Sequence, residues 1–188
     1  MKSQSLPILG PSECAHATWL EDYLTSVPDF PQKGVLFQWC SPLLRDPQAF
    51  NQAISVWLEH YRQRGYPDVI VGLESRGFFL GAVLANHMKL PFIVMRKPGK
   101  LPHAIGSQEQ SMEYGSVALE LEKGAIKQGE AVLIVDDVLA TGGTAVAACE
   151  LVRQVGGVVY ELTCLLEIIE LEARTKLSEE TVYSLLAL

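Results

Sequence analysis

Apolar positions along the chain change their period several times, and each change predicts an element. Over "RDPQAFNQAISVWLEHYRQRG", Phe50, Ile54, Trp57, Leu58 and Tyr61 recur at helical spacing, with Asp46 placed to cap the start and Gly65 to stop the end. "GFFLGAVLANHMK" and "TAVAACELVRQVGG" read as two further helices, the second closed by Gly156 or Gly157. Interleaved with them are the apolar runs "DVIVGL", "LPFIVM", "AVLIVDD" and "VVYELTCLLEI", the pattern of strands buried on both faces. The segment from about Glu13 to Val27 predicts a short helix. "VPDFPQKGVLF" predicts a Pro- and Gly-punctuated loop entering a short strand, and the residues after "VVYELTCLLEI" a short end piece. From Arg96 to about Ser116 the chain is polar and broken by Pro98, Gly99, Pro102 and Gly106; a loop that long inside a compact domain is usually functional.

Strand and helix alternate, which predicts an α/β fold with a mostly parallel central sheet flanked by helices. Ligands of such sheets bind beyond the C-terminal ends of strands. Two stretches fall there: "ESRG" after "DVIVGL", and "DDVLATGGT" after "AVLIV". The 188 residues fit one domain. A net charge of −7 argues against a broad nucleic-acid surface, yet leaves room for an anionic small molecule where cations are concentrated. No segment approaches the ~20 apolar residues of a membrane span. The N-terminus, with one Lys and an apolar run broken by Pro7 and Gly10, makes a poor secretory signal. Cys14, Cys40, Cys149 and Cys164 form no CxxC pair, and His16, His60, His87 and His103 no HxxxH spacing. Free thiols in a reducing cytoplasm are therefore expected rather than a structural zinc site.

The chemistry concentrates in "VLIVDDVLATGGT". Asp136 and Asp137, adjacent carboxylates at a strand end, repel each other and lose solvation, so they call for a metal or a ligand with paired hydroxyls. A helix-capping Asp beside a solvated one, or a phosphotransfer aspartate, are the alternatives; the second needs acidic and lysine partners that cannot be placed. Thr141-Gly142-Gly143-Thr144 opens a helix. There, curled backbone and the positive end of the helix dipole aim several N–H groups at one spot, as in a phosphate cradle. It is not a P-loop, since GxxxxGK[ST] is absent. A plain turn with Thr144 as N-cap is the bland reading of TGGT alone. Taken with the strand and the Asp pair, a sugar phosphate fits, its hydroxyls on the carboxylates and its phosphate in the loop.

"VLIVDDVLATGGT" closely resembles the phosphoribosyl pyrophosphate motif of type I phosphoribosyltransferases. "VPDFPQKGVLF", "SPLLRDPQAF", "GLESRGFFLGAVLA", "MRKPGKLP" and "MEYG" follow the order and spacing of the adenine branch, over roughly residues 20 to 175. The resemblance implies the type I fold, with an N-terminal extension and base-binding hood over about 1–40, a core over 41–188 and a mobile lid over about 96–116. It implies transfer of a phosphoribosyl group to adenine, giving AMP and pyrophosphate, in a cytoplasmic homodimer that uses Mg²⁺ held through substrate rather than by assigned protein ligands. Asp136 and Asp137 would hold the ribose hydroxyls near the developing positive charge, and Ala140, Thr141, Gly142, Gly143 and Thr144 the 5′-phosphate. Ser75, Arg76, Lys97 and Lys100 would take the pyrophosphate, with Arg96 reaching across the dimer. Glu113 would handle the purine proton, and Tyr114 would help close the lid, excluding water from the activated sugar. Leu36, Phe37 and Gln38 would line the adenine pocket. A non-proline cis peptide near Glu74-Ser75-Arg76 is in keeping with the family.

The family usually continues F-R-D-I-S/T-P where this chain reads "FQWCSP": Gln38 replaces an arginine, Trp39 an aspartate, Cys40 an isoleucine. Arg to Gln removes a full charge and five fixed donors. Gln110 stands where an aromatic residue is common in the lid. Two other readings follow: transfer to a different purine, or a regulator that senses phosphoribosyl pyrophosphate without turnover.

Overall fold

The computed structural model describes residues 13–30, 32–106 and 118–188. In chain order these form β1 (Glu13–Cys14), a 3₁₀ turn (Thr18–Tyr23), β2 (Thr25–Pro28), β3 (Leu36–Trp39), α1 (Ser41–Arg45) and α2 (Pro47–Arg64). Next come β4 (Val69–Leu73), α3 (Gly77–Met88), β5 (Phe92–Met95), β6 (Ala104–Gly106) and β7 (Glu120–Glu122). The chain ends with β8 (Ala131–Leu139), α4 (Gly143–Gln154), β9 (Val158–Glu167), a 3₁₀ turn (Ile169–Leu171), α5 (Ala173–Lys176) and β10 (Val182–Ala187).

The main sheet has six strands in the order β1-β10-β9-β8-β4-β5, and every pairing in it is parallel. β2 with β3, and β6 with β7, make two separate antiparallel hairpins. Helices cover both faces, which is why the strands read as unbroken apolar runs. On one face Trp57, Tyr61, Leu80 and Leu84 pack on Ile70, Leu133, Val135 and Leu185. On the other, Ala148, Leu151 and Val152 of α4 pack on Val71, Val132, Ile134 and Leu162. Among the described residues no helix is long and apolar enough to cross a membrane.

α2 begins as its sequence dictates. Asp46 Oδ1 accepts from the N–H groups of Gln48 (2.9 Å) and Ala49 (3.0 Å), Pro47 follows, and Gly65 ends the helix at φ +99°. Its buried face also carries a polar seam. Trp57 Nε1 donates to Thr163 Oγ1 at 2.7 Å, and the Tyr61 hydroxyl donates to Glu161 Oε1 at 2.7 Å. Glu161 is fully buried, and the Tyr61 hydroxyl, His60 Nε2 at 3.1 Å and Arg64 Nε at 3.5 Å meet its desolvation.

Three expectations are corrected. The predicted helix over Glu13–Val27 is instead β1, a 3₁₀ turn and β2. Residues 13–17 follow the free edge of β10, with Ala15 N donating to Ser184 O and Ala17 N to Leu185 O, both at 2.9 Å. Pairing across some 170 residues is invisible to a local period. The end piece supplies β10, a strand interior to the sheet. Finally, β8 does not stop at the aspartates: it runs through Asp136 and Asp137 to Leu139, with Asp136 opposite Cys164 on β9.

Candidate active site

Two close approaches set the site. An added Cβ at Gly77 would sit 2.3 Å from the Val135 carbonyl oxygen and 3.2 Å from Asp136 Cα; one at Gly72 would meet the Gly77 carbonyl oxygen at 2.7 Å. Only glycine lets the start of α3 press its backbone against the end of β8. The turn that delivers it, "ESRG", carries a cis peptide between Glu74 and Ser75, where the sequence leads one to look for it.

That approach seats Arg76, the residue before α3, beside the aspartates. Its Nε lies 2.8 Å from Asp137 Oδ2. Its Nη1 donates to the Gln38 carbonyl at 3.3 Å, and its guanidinium carbon stands 4.8 Å from the centroid of the Phe37 ring. One cation therefore ties the β2–β3 hairpin to β8. The guanidinium thus pairs its charge with a carboxylate and adds a cation–π contact to an aromatic ring.

Alternation along a strand sends Asp136 and Asp137 to opposite faces. Asp137 shares its parity with Leu133 and Val135, on the α2–α3 face, and meets Arg76 there. Asp136 shares its parity with Val132 and Ile134, on the α4 face, and lines a cavity of about 80 Å³ with residues 140–145. Burial pushes the Asp136 carboxyl well above the usual carboxylate range, and the Asp137 charge raises it further. Burial also raises Asp137, against the opposing pull of Arg76. The Asp137 N–H donates to Asp136 Oδ1 at 2.9 Å, so the backbone of one steadies the side chain of the other.

The loop from Ala140 to Thr144 closes the cavity from above. Gly142, at φ +81°, is the N-cap of α4, so the helix starts one residue before Thr144. The N–H groups of a first helical turn have no helical acceptor and are free for an anion. The loop is braced from a direction the sequence does not advertise. Ala173 of α5 lies 3.2 Å from where a Cβ on Gly142 would stand, and Lys176 Nζ donates to the Thr141 carbonyl at 2.8 Å. α5 itself is held by Arg174, whose Nε and Nη2 each lie 2.6 Å from an oxygen of the buried Glu167.

The cations of "RKPGK" gather on Glu74. Its Oε2 accepts from the Lys97 N–H at 2.9 Å and lies 3.4 Å from Arg96 Nε, while Lys100 Nζ pairs with Oε1. Arg96 Nη1 donates to the Lys100 carbonyl at 3.3 Å, within its own chain. The Lys97 side chain is exposed. Glu74 is absent from the sequence-derived candidates because a lone Glu before "SRG" carries no motif signal; only the parallel pairing of β4 with β5 brings it to the cations.

In the β2–β3 hairpin Leu36 is 59% exposed, Phe37 packs edge-on against Phe30 at 5.1 Å, and Trp39 lies tilted 5.8 Å from Phe37. Gln38 Oε1 accepts from the Ser26 hydroxyl at 3.1 Å. Phe30, which sequence reasoning passes over, completes an aromatic row with Phe37 and Trp39; the turn that closes the hairpin brings it there, its N–H donating to the Val35 carbonyl at 3.3 Å. Glu113, Tyr114 and Gln110 lie outside the described residues. Among the described residues no three His, Cys, Asp or Glu side chains converge as a metal cage.

The family model for the phosphoribosyl transferase domain matches residues 42–187. The adenine phosphoribosyltransferase of Pelodictyon phaeoclathratiforme is 43% identical over 169 residues, covering 88% of this chain and 96% of that protein. The Synechococcus sp. enzyme of the same name is 47% identical over 161 residues, covering 86% and 92%. Among solved structures, the adenine phosphoribosyltransferase of Saccharomyces cerevisiae, complexed with an imino-altritol bisphosphate and adenine, superposes with a TM-score of 0.83. It is 40% identical and covers 90% of this chain and 98% of its own.

The raised Asp136 carboxyl has a consequence for stability. A carboxyl whose folded pKa exceeds its unfolded one binds more protons in the folded state. Wild-type stability therefore falls as pH climbs through the range between the two values, and is regained on acidification. Asp136→Asn, which keeps an acceptor for the Asp137 N–H, is expected to melt higher than wild type at pH 8. Its advantage should shrink as pH falls towards 5, while phosphoribosyl transfer drops. Equal melting temperatures at both pH values would refute the burial argument.

Proposed function

This chain belongs to the phosphoribosyltransferase family, in its adenine branch, and from that premise we propose how its own residues divide the reaction. The activity is purine salvage: the 5-phosphoribosyl group passes from phosphoribosyl pyrophosphate to adenine, giving AMP and pyrophosphate. The observation that carries the division of labour is the ion pair between Arg76 and Asp137, which joins the hairpin, the β4–α3 turn and β8 at one point.

The 5′-phosphate sits in the loop Ala140–Thr144, on the N-terminal N–H groups of α4. Support comes from the braced glycine turn and from the cavity that the loop shares with Asp136. Asp136 and Asp137 hold the ribose hydroxyls. As the bond to pyrophosphate lengthens, the anomeric carbon gains oxocarbenium character, as in glycoside cleavage. Carboxylates fixed in a largely desolvated site stabilise that charge without reorganising. Pyrophosphate leaves against Ser75, Arg76, Lys97 and Lys100, with Arg96 reaching it from the neighbouring chain. Adenine rests on Leu36 and Phe37, its edge read by backbone near Gln38. Glu113 accepts the purine proton, and Tyr114 closes the lid over the site.

The donor set suits Mg²⁺. The hard carboxylate oxygens of Asp136 and Asp137 would help to hold it; among the described residues no three such side chains converge, so substrate oxygens would complete the binding. When bound, Mg²⁺ neutralises the charge on the leaving pyrophosphate. The reaction and the free thiols Cys14, Cys40, Cys149 and Cys164 suit a cytoplasmic setting.

The test is a purine panel of adenine, hypoxanthine, guanine and xanthine, each with phosphoribosyl pyrophosphate and Mg²⁺, followed by nucleotide formation. Adenine alone turns over on this account, with Gln38 and Trp39 tolerated. Turnover of another base would show that "FQWC" has reshaped the pocket. No turnover, with phosphoribosyl pyrophosphate still bound, would favour a sensor.

We further propose a homodimer in which Arg96 serves the neighbouring site. Light scattering should then give about twice the 20.7 kDa chain mass. A fully active monomer would overturn that role.

A further inference from the structure

Glu74 has no part in the division of labour above, yet its surroundings are unusual. It ends β4, and its position is fixed by the ladder to β5: Leu73 pairs with Met95, and the Glu74 N–H donates to the Met95 carbonyl at 3.0 Å. Its side chain is about nine-tenths covered, with 9% exposure. Among the described residues, the polar partners of its carboxylate are donors and cations from one turn: the Lys97 N–H at 2.9 Å, Arg96 Nε at 3.4 Å and Lys100 Nζ. These bonds, Lys100 foremost, hold the carboxyl below the usual range, so it is charged at working pH. Gly99 N is not part of this set; it donates to Glu120 at 2.9 Å.

A site that must bind a multivalent anion faces two difficulties when it is empty. Its cations repel each other, and nothing fixes their geometry. After the chemistry it faces a third, because an anion held by several cations leaves slowly and product release limits turnover. An internal carboxylate answers all three. It orders the cations while the site is empty and weakens product binding without entering the reaction. We propose that Glu74 is an internal stand-in for pyrophosphate, occupying Lys100 and the Lys97 N–H until the substrate's diphosphate displaces it, and returning to them to expel the product. This rests on the reading that those residues serve pyrophosphate. Displacement runs in the right direction because pyrophosphate carries more charge than one carboxylate and the interaction scales with charge. Return is favoured because the carboxylate is tethered, and so is present at high effective concentration.

Glu74 is thus a positioning residue, and its removal has a signature that structural damage lacks. In calorimetric titrations of the full chain with Mg²⁺ and pyrophosphate, Glu74→Gln should bind about threefold to tenfold tighter than wild type, the scale of losing partly exposed ion pairs. In steady state it should lower KM for phosphoribosyl pyrophosphate and lower kcat with it, the pattern of slowed release. Glu74→Asp, which keeps the charge but withdraws it by one carbon, should move both quantities the same way by less, and it covers the case in which the Gln variant folds poorly. Lys100→Gln is titrated in parallel and should bind pyrophosphate more weakly. Unchanged or weaker pyrophosphate binding in both Glu74 variants, with Lys100→Gln weakened, overturns the stand-in and leaves the pyrophosphate reading in place. Unchanged binding in Lys100→Gln as well overturns both.

Discussion

The site depends on how closely the start of α3 approaches the end of β8. Val135 and Asp136 leave no room for a side chain at Gly77, and that lack of room carries Arg76 to Asp137. Were the two backbones held one side chain further apart, the guanidinium would lose its carboxylate. The contact to the Gln38 carbonyl would go with it, and the hairpin would have no polar tie to the core at this point. The rest of the molecule supports that contact. Two apolar layers clamp the parallel strands, and α2 is fixed across β9 by Trp57, Tyr61 and the buried Glu161.

The same strand makes the chemistry possible at a cost in stability. Parity sends one aspartate to each face of the sheet, so a ligand must reach round the end of β8 to touch both. A sugar carrying a phosphate at one end and a diphosphate at the other has the necessary length and charge. On the proposed reading its single phosphate would meet α4 and the loop braced by Ala173 and Lys176. Its diphosphate would then meet the turn after β4 and the cations after β5. Burial opposes ionisation of both carboxylates; Arg76 is the foremost opposing pull at Asp137 and only a minor one at Asp136. A charge partly stripped of water and imperfectly paired destabilises the fold, and it is also what a developing positive centre needs.

Much of this was legible in the residues. The alternation of apolar runs and amphipathic helices gave the parallel sheet. Asp46 and Gly65 gave the limits of α2, and "VLIVDDVLATGGT" gave the glycine turn that opens α4 and the acidic pair. What escaped depends on contacts distant in sequence. The stretch after Glu13 has a helical look locally, but the open edge of β10 recruits it as β1. Glu74 meets Lys100 only because β4 and β5 are neighbours. Arg174 and Lys176 sit in a plain polar segment, and their bracing of the loop from Ala140 to Thr144 follows from the buried Glu167, at the end of β9. The opposed aspartates were within reach of a period-two argument; treating β8 as ending at Asp137, rather than continuing to Leu139, concealed it.

The central claim is that one ligand spans both faces of β8, and the direct measurement is a crystal structure of this chain with AMP, pyrophosphate and Mg²⁺. The account predicts the nucleotide phosphate on the N–H groups of residues 140–144, the ribose hydroxyls between Asp136 and Asp137, and pyrophosphate beside Arg76 and Lys100. A nucleotide phosphate bound away from that loop, or a ribose touching neither aspartate, would contradict it.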